Sequence, residues 1–175
     1  MNIVDYYPID MLNGPGTRAT LFVAGCEHRC KGCYNAVTWS PRAGTPYSEA
    51  LENRIIADLK DQDIPRQGLS LSGGDPLYPS NLPVVERLVR RVRDECPDKN
   101  IWLWTGYTFE TLTEHQRRVV DRLDVLVDGR FEQQALDKTL LWRGSRNQRI
   151  LALTPKAQRA LKGLEAATAV SAVPS

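Results

Sequence analysis

Two rhythms of apolar residues alternate along this chain. Short unbroken runs, Thr20-Leu21-Phe22-Val23-Ala24, Gly68 to Ser72, Ile101-Trp102-Leu103-Trp104 and Val125-Leu126-Val127, are bounded by turn residues and read as buried strands. Between them apolar residues recur at three- and four-residue steps, as Leu51, Ile55, Ile56 and Leu59, then Val85, Leu88, Val89, Val92 and Cys96, then Val119, Val120 and Leu123. That spacing predicts three amphipathic helices. Ser48 suits the N-cap of the first, and Ser80 or Asn81 that of the second, with Pro83 in its first turn and Pro97 stopping it. Thr113 with Gln116 has the form of a capping box before the third. Ile150 to Leu153 reads as a fifth strand and Leu140-Leu141-Trp142 as a short extended piece, while the residues up to Tyr7 look like an irregular arm. From Thr154 a weak helix leads into an Ala/Val/Ser tail, expected to be mobile. The expected organisation is one domain over residues 1–153, with a C-terminal tail over 154–175.

Strands alternating with helices imply an α/β fold with a parallel sheet and right-handed crossovers. A closed eight-unit barrel needs roughly 250 residues, so a chain of 175 residues is expected to form a partial, laterally open (β/α) barrel. The loops after the first four strands are unusual: a cysteine-rich loop, Gly73-Gly74-Asp75-Pro76, Thr105-Gly106-Tyr107, and Asp128-Gly129. In α/β folds that sheet edge is where ligands bind. Four such loops on one edge point to one site.

Charge narrows the function classes. Lys plus Arg number 23 against 21 Asp plus Glu, a net charge of +2, and no basic stripe or reading motif marks a nucleic-acid binder. The first residues lack the basic-then-apolar pattern of a secretion signal, and no apolar run is long enough to span a bilayer. A cytoplasmic protein with reduced thiols is the expectation.

Three of the four cysteines, Cys26, Cys30 and Cys33, are spaced C-x3-C-x2-C within Gly25-Cys26-Glu27-His28-Arg29-Cys30-Lys31-Gly32-Cys33-Tyr34-Asn35. Thiolates ligate iron–sulfur clusters, and close spacing lets one short loop wrap one cluster. Three thiolates leave one iron of a cubane open, and an open position marks a reactive site. A structural zinc site wants a fourth ligand at regular spacing, which neither His28, inside the loop, nor the remote His115 supplies well. A disulfide framework needs an oxidising compartment. A cysteine stripe on a helix is disfavoured by Gly25 and Gly32 and the intervening charges, and His28 reads as a surface residue. Cys96 lies on an apolar helix face and reads as a small buried hydrophobe. Arg87, Arg90, Arg91 and Arg93 read as a solvated helix face, with partner docking as the alternative.

The cysteine loop after a first strand and the Gly-Gly-acid-Pro loop after a second resemble the radical S-adenosylmethionine superfamily. The closer resemblance is to its branch of glycyl-radical-enzyme activases that serves anaerobic ribonucleoside-triphosphate reductase. It runs from about Tyr6 to Ile150 and also rests on Asn13-Gly14-Pro15-Gly16-Thr17-Arg18, Thr38-Trp39, Gln67-Gly68, Trp104-Thr105-Gly106-Tyr107, Leu126-Val127-Asp128-Gly129, Trp142-Arg143-Gly144-Ser145 and Asn147-Gln148. The resemblance implies that Cys26, Cys30 and Cys33 hold a 4Fe–4S cluster whose fourth iron takes the amino and carboxylate groups of S-adenosylmethionine. One electron then yields methionine and a 5′-deoxyadenosyl radical, which removes hydrogen from a backbone glycine of the reductase. A low-potential donor such as flavodoxin is implied as a further partner, and neither nucleic acid nor membrane.

By the same resemblance, carbonyls of Gly73 and Gly74 with the Asp75 carboxylate receive the methionine amino group, whereas a Gly-Gly-Asp-Pro sequence alone is also a common tight turn. The superfamily commonly carries an aromatic residue just before the third cysteine. This chain has Gly32 there and Tyr34 after the cysteine, so adenine falls to the Gly32 backbone or the Tyr34 ring. Tyr107 is either a nucleoside contact or packing, Asp128 either a ribose acceptor or a turn cap, and Asn147 and Gln148 either site or surface residues. The competing functions are activation of pyruvate formate-lyase or another glycyl-radical enzyme, a ferredoxin-like electron carrier with four cysteine ligands, and a zinc-binding interaction module.

Overall fold

A computed structural model describes residues 1–170. The strands are β1 (Asn2–Asp10), β2 (Arg18–Val23), β3 (Thr45–Pro46), β4 (Gly68–Gly73), β5 (Asn100–Trp104), β6 (Val125–Asp128) and β7 (Arg149–Ala152), and the helices are α1 (Glu49–Lys60), α2 (Leu82–Glu95), α3 (Glu114–Val120) and α4 (Pro155–Val170). The strands form one sheet in the order β3-β1-β2-β4-β5-β6-β7. Neighbours β2, β4, β5 and β6 are parallel, and α1, α2 and α3 are their crossovers. The result is a mixed α/β fold around a seven-stranded, partly parallel sheet.

Both edges of the sheet differ from the expected all-parallel pattern. The predicted N-terminal arm is strand β1, antiparallel to β2, with Tyr7 opposite Thr20 and Asp10 opposite Arg18. Its alternation of exposed Asp5, Tyr7 and Ile9 with more buried Val4, Tyr6 and Pro8 is the period-two signature of a half-covered strand. Pro8, which cannot donate to a ladder, sits where the β1–β2 register slips between Tyr7 and Asp10. At the other edge β7 is antiparallel to β6. Between β6 and β7 lies no α-helix, only a three-residue 3-10 turn at Gln133–Ala135, so the chain folds back beside β6, because a parallel return needs a longer crossover. Leu140-Leu141-Trp142 is a run of bends rather than an extended piece.

The sheet buries both faces. On the helix side, Leu21, Leu69, Leu71, Ile101, Leu103 and Leu126 pack against α1, α2 and α3, and Cys96 joins them at 2% exposure. On the other side Trp102, Val125 and Val127 pack with Trp104, Trp142 and Ile150, and with Ala157 and Leu161 of α4. The helix after Thr154 is therefore docked at its start, while the expected end of the tail lies outside the described residues. Arg18, fully buried beside Trp102, ties three strands together through Ser70 Oγ (2.7 Å), Asn100 Oδ1 (2.7 Å) and the Leu69 carbonyl (2.9 Å). Burial lowers its pKa to about 10, against the pull of Asp124 and Asp10, and it stays charged at neutral pH.

Local capping follows the sequence at two helices. Ser48 Oγ accepts from Leu51 N (3.2 Å), and Thr113 and Gln116 form the full capping box. At α2, Asn81 caps by position only. Its side-chain amide instead donates to the carbonyls of Ala24 (2.8 Å) and Asp75 (3.0 Å), pinning the helix start beneath two loops.

Three of the four arginines on α2 are paired, and Arg90 is exposed. Arg87 and Arg91 pair with Glu52 of α1, Arg91 also with Glu95, and Arg93 with Asp124 (2.6 Å). Burial alone would raise the Glu52 carboxyl, but hydrogen bonds from Arg87 and Tyr47 outweigh it and hold the group below its usual value. A depressed folded-state pKa gives stability that is present above the ordinary carboxylate value of about 4.3. It is lost as pH falls through the lower folded value. Glu52→Gln is expected to destabilise the protein at pH 7 by about 1–3 kcal/mol. In denaturant melts at falling pH, wild type should approach the variant.

Candidate functional site

The parallel strands end on one edge, and four loops converge there. The chain leaves β2 at Ala24 and turns at Gly25, whose φ of +97° suits glycine. Backbone bonds then clamp the loop on two sides: Gly25 N to Thr38 O (2.8 Å), Cys26 N to Trp39 O (3.0 Å), and Asp75 N to Gly25 O (2.8 Å). No helix runs through Cys26, Cys30 and Cys33, which excludes the helical stripe. Instead Arg29 (φ 47°) and Gly32 (φ 73°) bend the chain so that the three thiols, all free and half-buried, line one cavity of about 140 Å³. Gly73, Gly74, Trp104, Phe131 and Gln148 also line it.

The glycines at the end of β4 are there because backbone packs against them. A Cβ on Gly73 (φ +103°) would lie 2.7 Å from the Val23 backbone, and one on Gly74 would lie 2.5 Å from the Gly25 carbonyl oxygen. No side chain fits between the β4 loop and the cysteine loop.

Asp75 is fully buried and its carboxylate is already occupied. Oδ1 accepts from Leu77 N (2.8 Å), and Oδ2 from Thr105 Oγ1 (2.9 Å), Gly106 N (3.0 Å) and His28 Nε2 (2.8 Å). His28 is therefore not the surface residue expected: its side chain is 9% exposed and packs edge-on against Tyr107. Nothing in the hydropathy pattern signals this, since Glu27 and Arg29 on either side are exposed. Asp128 is likewise buried and engaged, accepting from Arg149 Nε (2.9 Å) and Phe109 N (2.8 Å), while Arg149 also forks onto Glu110. Gln148 bonds to Gly144 N and Gly129 O, and Asn147 to Arg130 O. Tyr107 OH donates to Glu27 (2.6 Å). Tyr34 is 100% exposed, and Gly32 lies against Gln133. The fold thus brings Cys26, Cys30, Cys33, Gly73 and Gly74 onto one cavity, sets Asp75 and Asp128 behind its walls, and leaves Tyr34 in solvent. Arg149, Trp104 and Phe131 were not singled out beforehand as site residues, because each reads as ordinary strand or loop composition.

The donor set suits a metal cluster. Burial, aided by the Asp75 charge and opposed by the N–H groups of His28 and Arg29, pushes the Cys26 thiol up to about 11, so binding there displaces a proton. Among the described residues no three His, Cys, Asp or Glu side chains gather closely enough to hold a single metal ion. Thiols distributed around a cavity wall suit a group with several irons, each taking one thiolate. Trp39, on the same wall, buries its indole N–H with no partner, a donor for which cluster sulfur is an acceptor.

Comparison with known proteins agrees. A family described as "4Fe-4S single cluster domain" matches residues 12–151. The anaerobic ribonucleoside-triphosphate reductase-activating protein of Vibrio cholerae is 60% identical over 148 residues, covering 85% of this chain and 96% of that protein. The same-named protein of Escherichia coli is 57% identical over 148 residues, with the same shares covered. That of Pasteurella multocida is 55% identical over 156 residues, covering 88% and 99%. No helix among the described residues is long and apolar enough to cross a membrane. A cysteine loop built for a cluster, on a chain this similar to these proteins over nearly their whole length, places it in the family of anaerobic ribonucleoside-triphosphate reductase-activating proteins, on a 4Fe–4S domain.

Proposed function

We propose that this protein is a radical S-adenosylmethionine enzyme that generates the glycyl radical of anaerobic ribonucleoside-triphosphate reductase. The observation that carries the reading is the shared cavity at the strand ends, with three thiols and two close-packed glycines on its wall. Cys26, Cys30 and Cys33 would hold the cluster, and with three protein ligands it would keep a position for S-adenosylmethionine. A cluster held there would supply low-potential electron chemistry for cleaving the sulfonium.

The remaining roles belong to the protein's own groups. Gly73 and Gly74 present backbone to the methionine amino group. Asp75, its oxygens spent on His28, Thr105 and Gly106, holds that loop in place rather than receiving the ammonium itself. Trp104 and Phe131 give the cavity flat apolar walls suited to a nucleoside, with the Gly32 backbone at the rim. Asp128, closed by Arg149 and Phe109 N, fixes the end of β6. Tyr34, in solvent, is placed for the reductase rather than for adenine. The sheet acts as a partial, laterally open barrel, because the substrate is a loop of a large protein that must reach the cluster. The protein works in the cytoplasm with a low-potential donor such as flavodoxin, and residues 1–153 carry the activity.

The test is anaerobic electron paramagnetic resonance on reconstituted, reduced protein mixed with S-adenosylmethionine and the reductase. A glycyl doublet accompanied by 5′-deoxyadenosine is the expected result. 5′-Deoxyadenosine without the doublet would retain the cleavage and discard this partner. Neither product from a well-formed cluster would favour an electron carrier.

A further inference from the structure

We propose that His28 is a positioning residue that sets the cysteine loop at a fixed place against the Gly73-Gly74 loop, and so sets the cluster against S-adenosylmethionine. The inference rests on the reading above and extends it to a residue no motif assigns.

His28 lies midway between Cys26 and Cys30, and the loops after β2, β4, β5 and β6 all meet on it. Its Nε2 is 2.8 Å from Asp75 Oδ2, with side chains 9% and 1% exposed. Asp75 fixes Nε2 as the donor, because a carboxylate that also receives Thr105 Oγ1 and Gly106 N acts as an acceptor. The imidazole ring lies 4.5 Å from the Tyr107 ring at 73°. The His28 carbonyl accepts from Arg130 in the loop after β6. Gly106 is shaped around the ring: a Cβ there would sit 2.3 Å from His28 Cδ2.

The ends of the cysteine loop are tied through backbone, at Gly25, Cys26 and Thr38. Its middle is tied through His28. A hydrogen bond to a buried carboxylate is among the stronger kinds, and hydrogen-bonded groups behind metal ligands hold ligand geometry. The three thiolates suffice to keep a cluster. What His28 adds is its placement relative to Gly73 and Gly74, whose loop continues into Asp75. Loss of the imidazole should therefore weaken S-adenosylmethionine binding while leaving the cluster in place.

The experiment compares His28→Ala, His28→Gln and Gly106→Ala with wild type after anaerobic reconstitution. Iron content, the resonance spectrum of the reduced cluster with and without S-adenosylmethionine, and kcat and KM for 5′-deoxyadenosine formation are measured. His28→Ala should hold wild-type iron, raise KM for S-adenosylmethionine about 10- to 100-fold with a smaller change in kcat, and lose the spectral response at concentrations that saturate wild type. Gly106→Ala, which displaces the ring without deleting either partner, should behave likewise. His28→Gln, whose amide N–H can reach Asp75, should recover most of the affinity. Wild-type KM and spectral response in His28→Ala would overturn the proposal, as would loss of iron in all three variants, which would make His28 a support of the cluster itself. If wild type gives no spectral response to S-adenosylmethionine, the cofactor reading fails rather than the role of His28.

Discussion

Cys30→Ala is expected to abolish 5′-deoxyadenosine formation and the glycyl doublet, a loss of at least about a thousandfold, because ligands that act as a unit are not individually dispensable. Cys30 is the central member of the loop, and its thiol reaches the cavity from between two left-handed turns at Arg29 and Gly32. Two remaining thiolates leave two irons without protein ligands, so reconstituted iron should fall together with activity. The fold should survive, since the loop contributes no strand to the sheet and its clamps at Gly25 and Cys26 are backbone bonds. Circular dichroism should therefore match wild type while the visible cluster absorption is lost. Cys96→Ala is the control. Its thiol is buried against α2, away from the cavity, and the substitution should cost about 1 kcal/mol of packing with cluster and activity intact. A Cys30→Ala protein with full 5′-deoxyadenosine production would remove the cluster assignment.

Gly74→Ala should have the second largest effect. The added methyl would meet the Gly25 carbonyl oxygen at 2.5 Å and the Thr38 carbonyl oxygen at 3.0 Å. Both are backbone atoms held by the clamp that closes the cysteine loop, so neither can swing aside as a flexible side chain would. The β4 loop and the cysteine loop must separate, at about 1–3 kcal/mol, and the surface proposed to receive the methionine amino group moves with them. Thermal denaturation should register the lost stability, and KM for S-adenosylmethionine should rise by at least about tenfold, since that much separation in a positioned site is costly. A normal melting temperature with unchanged KM would show that the two loops do not touch in solution.

The parallel heart of the fold was legible because its signals are local. Four apolar runs alternate with three amphipathic helices, and each helix carries its own start signal. The edges were less legible. In β1 only one face is covered, so the apolar run was broken by Asp5, Pro8 and Asp10 and read as an arm. The direction of β7 depends on the chain between it and β6, whose path is set by distant contacts such as Trp142 against Trp102. At the site, the cysteines and glycines stood out by spacing and by conformational need. The two aspartates stood out at their strand ends as well, but their engaged state did not, and the histidine read as surface, because that state depends on partners far away in sequence: His28 on Asp75, Asp75 on Thr105 and Gly106, and Asp128 on Arg149. Spacing can place a carboxylate at a strand end, but it does not say which donors are waiting there.

The slip in register at Pro8 has a consequence for how the molecule keeps company. Beyond Ile3, β1 has no outer strand neighbour among the described residues, since β3 pairs only with Asn2 and Ile3. Tyr7, Ile9, Met11 and Leu12 are exposed along and just past this rim. A straight, fully hydrogen-bonding rim with that much apolar surface would be a template for another chain to stack against. The missing donor of proline and the irregular stretch from Tyr7 to Asp10 break that template where the apolar residues begin, which makes this border a poorer seat for an added strand.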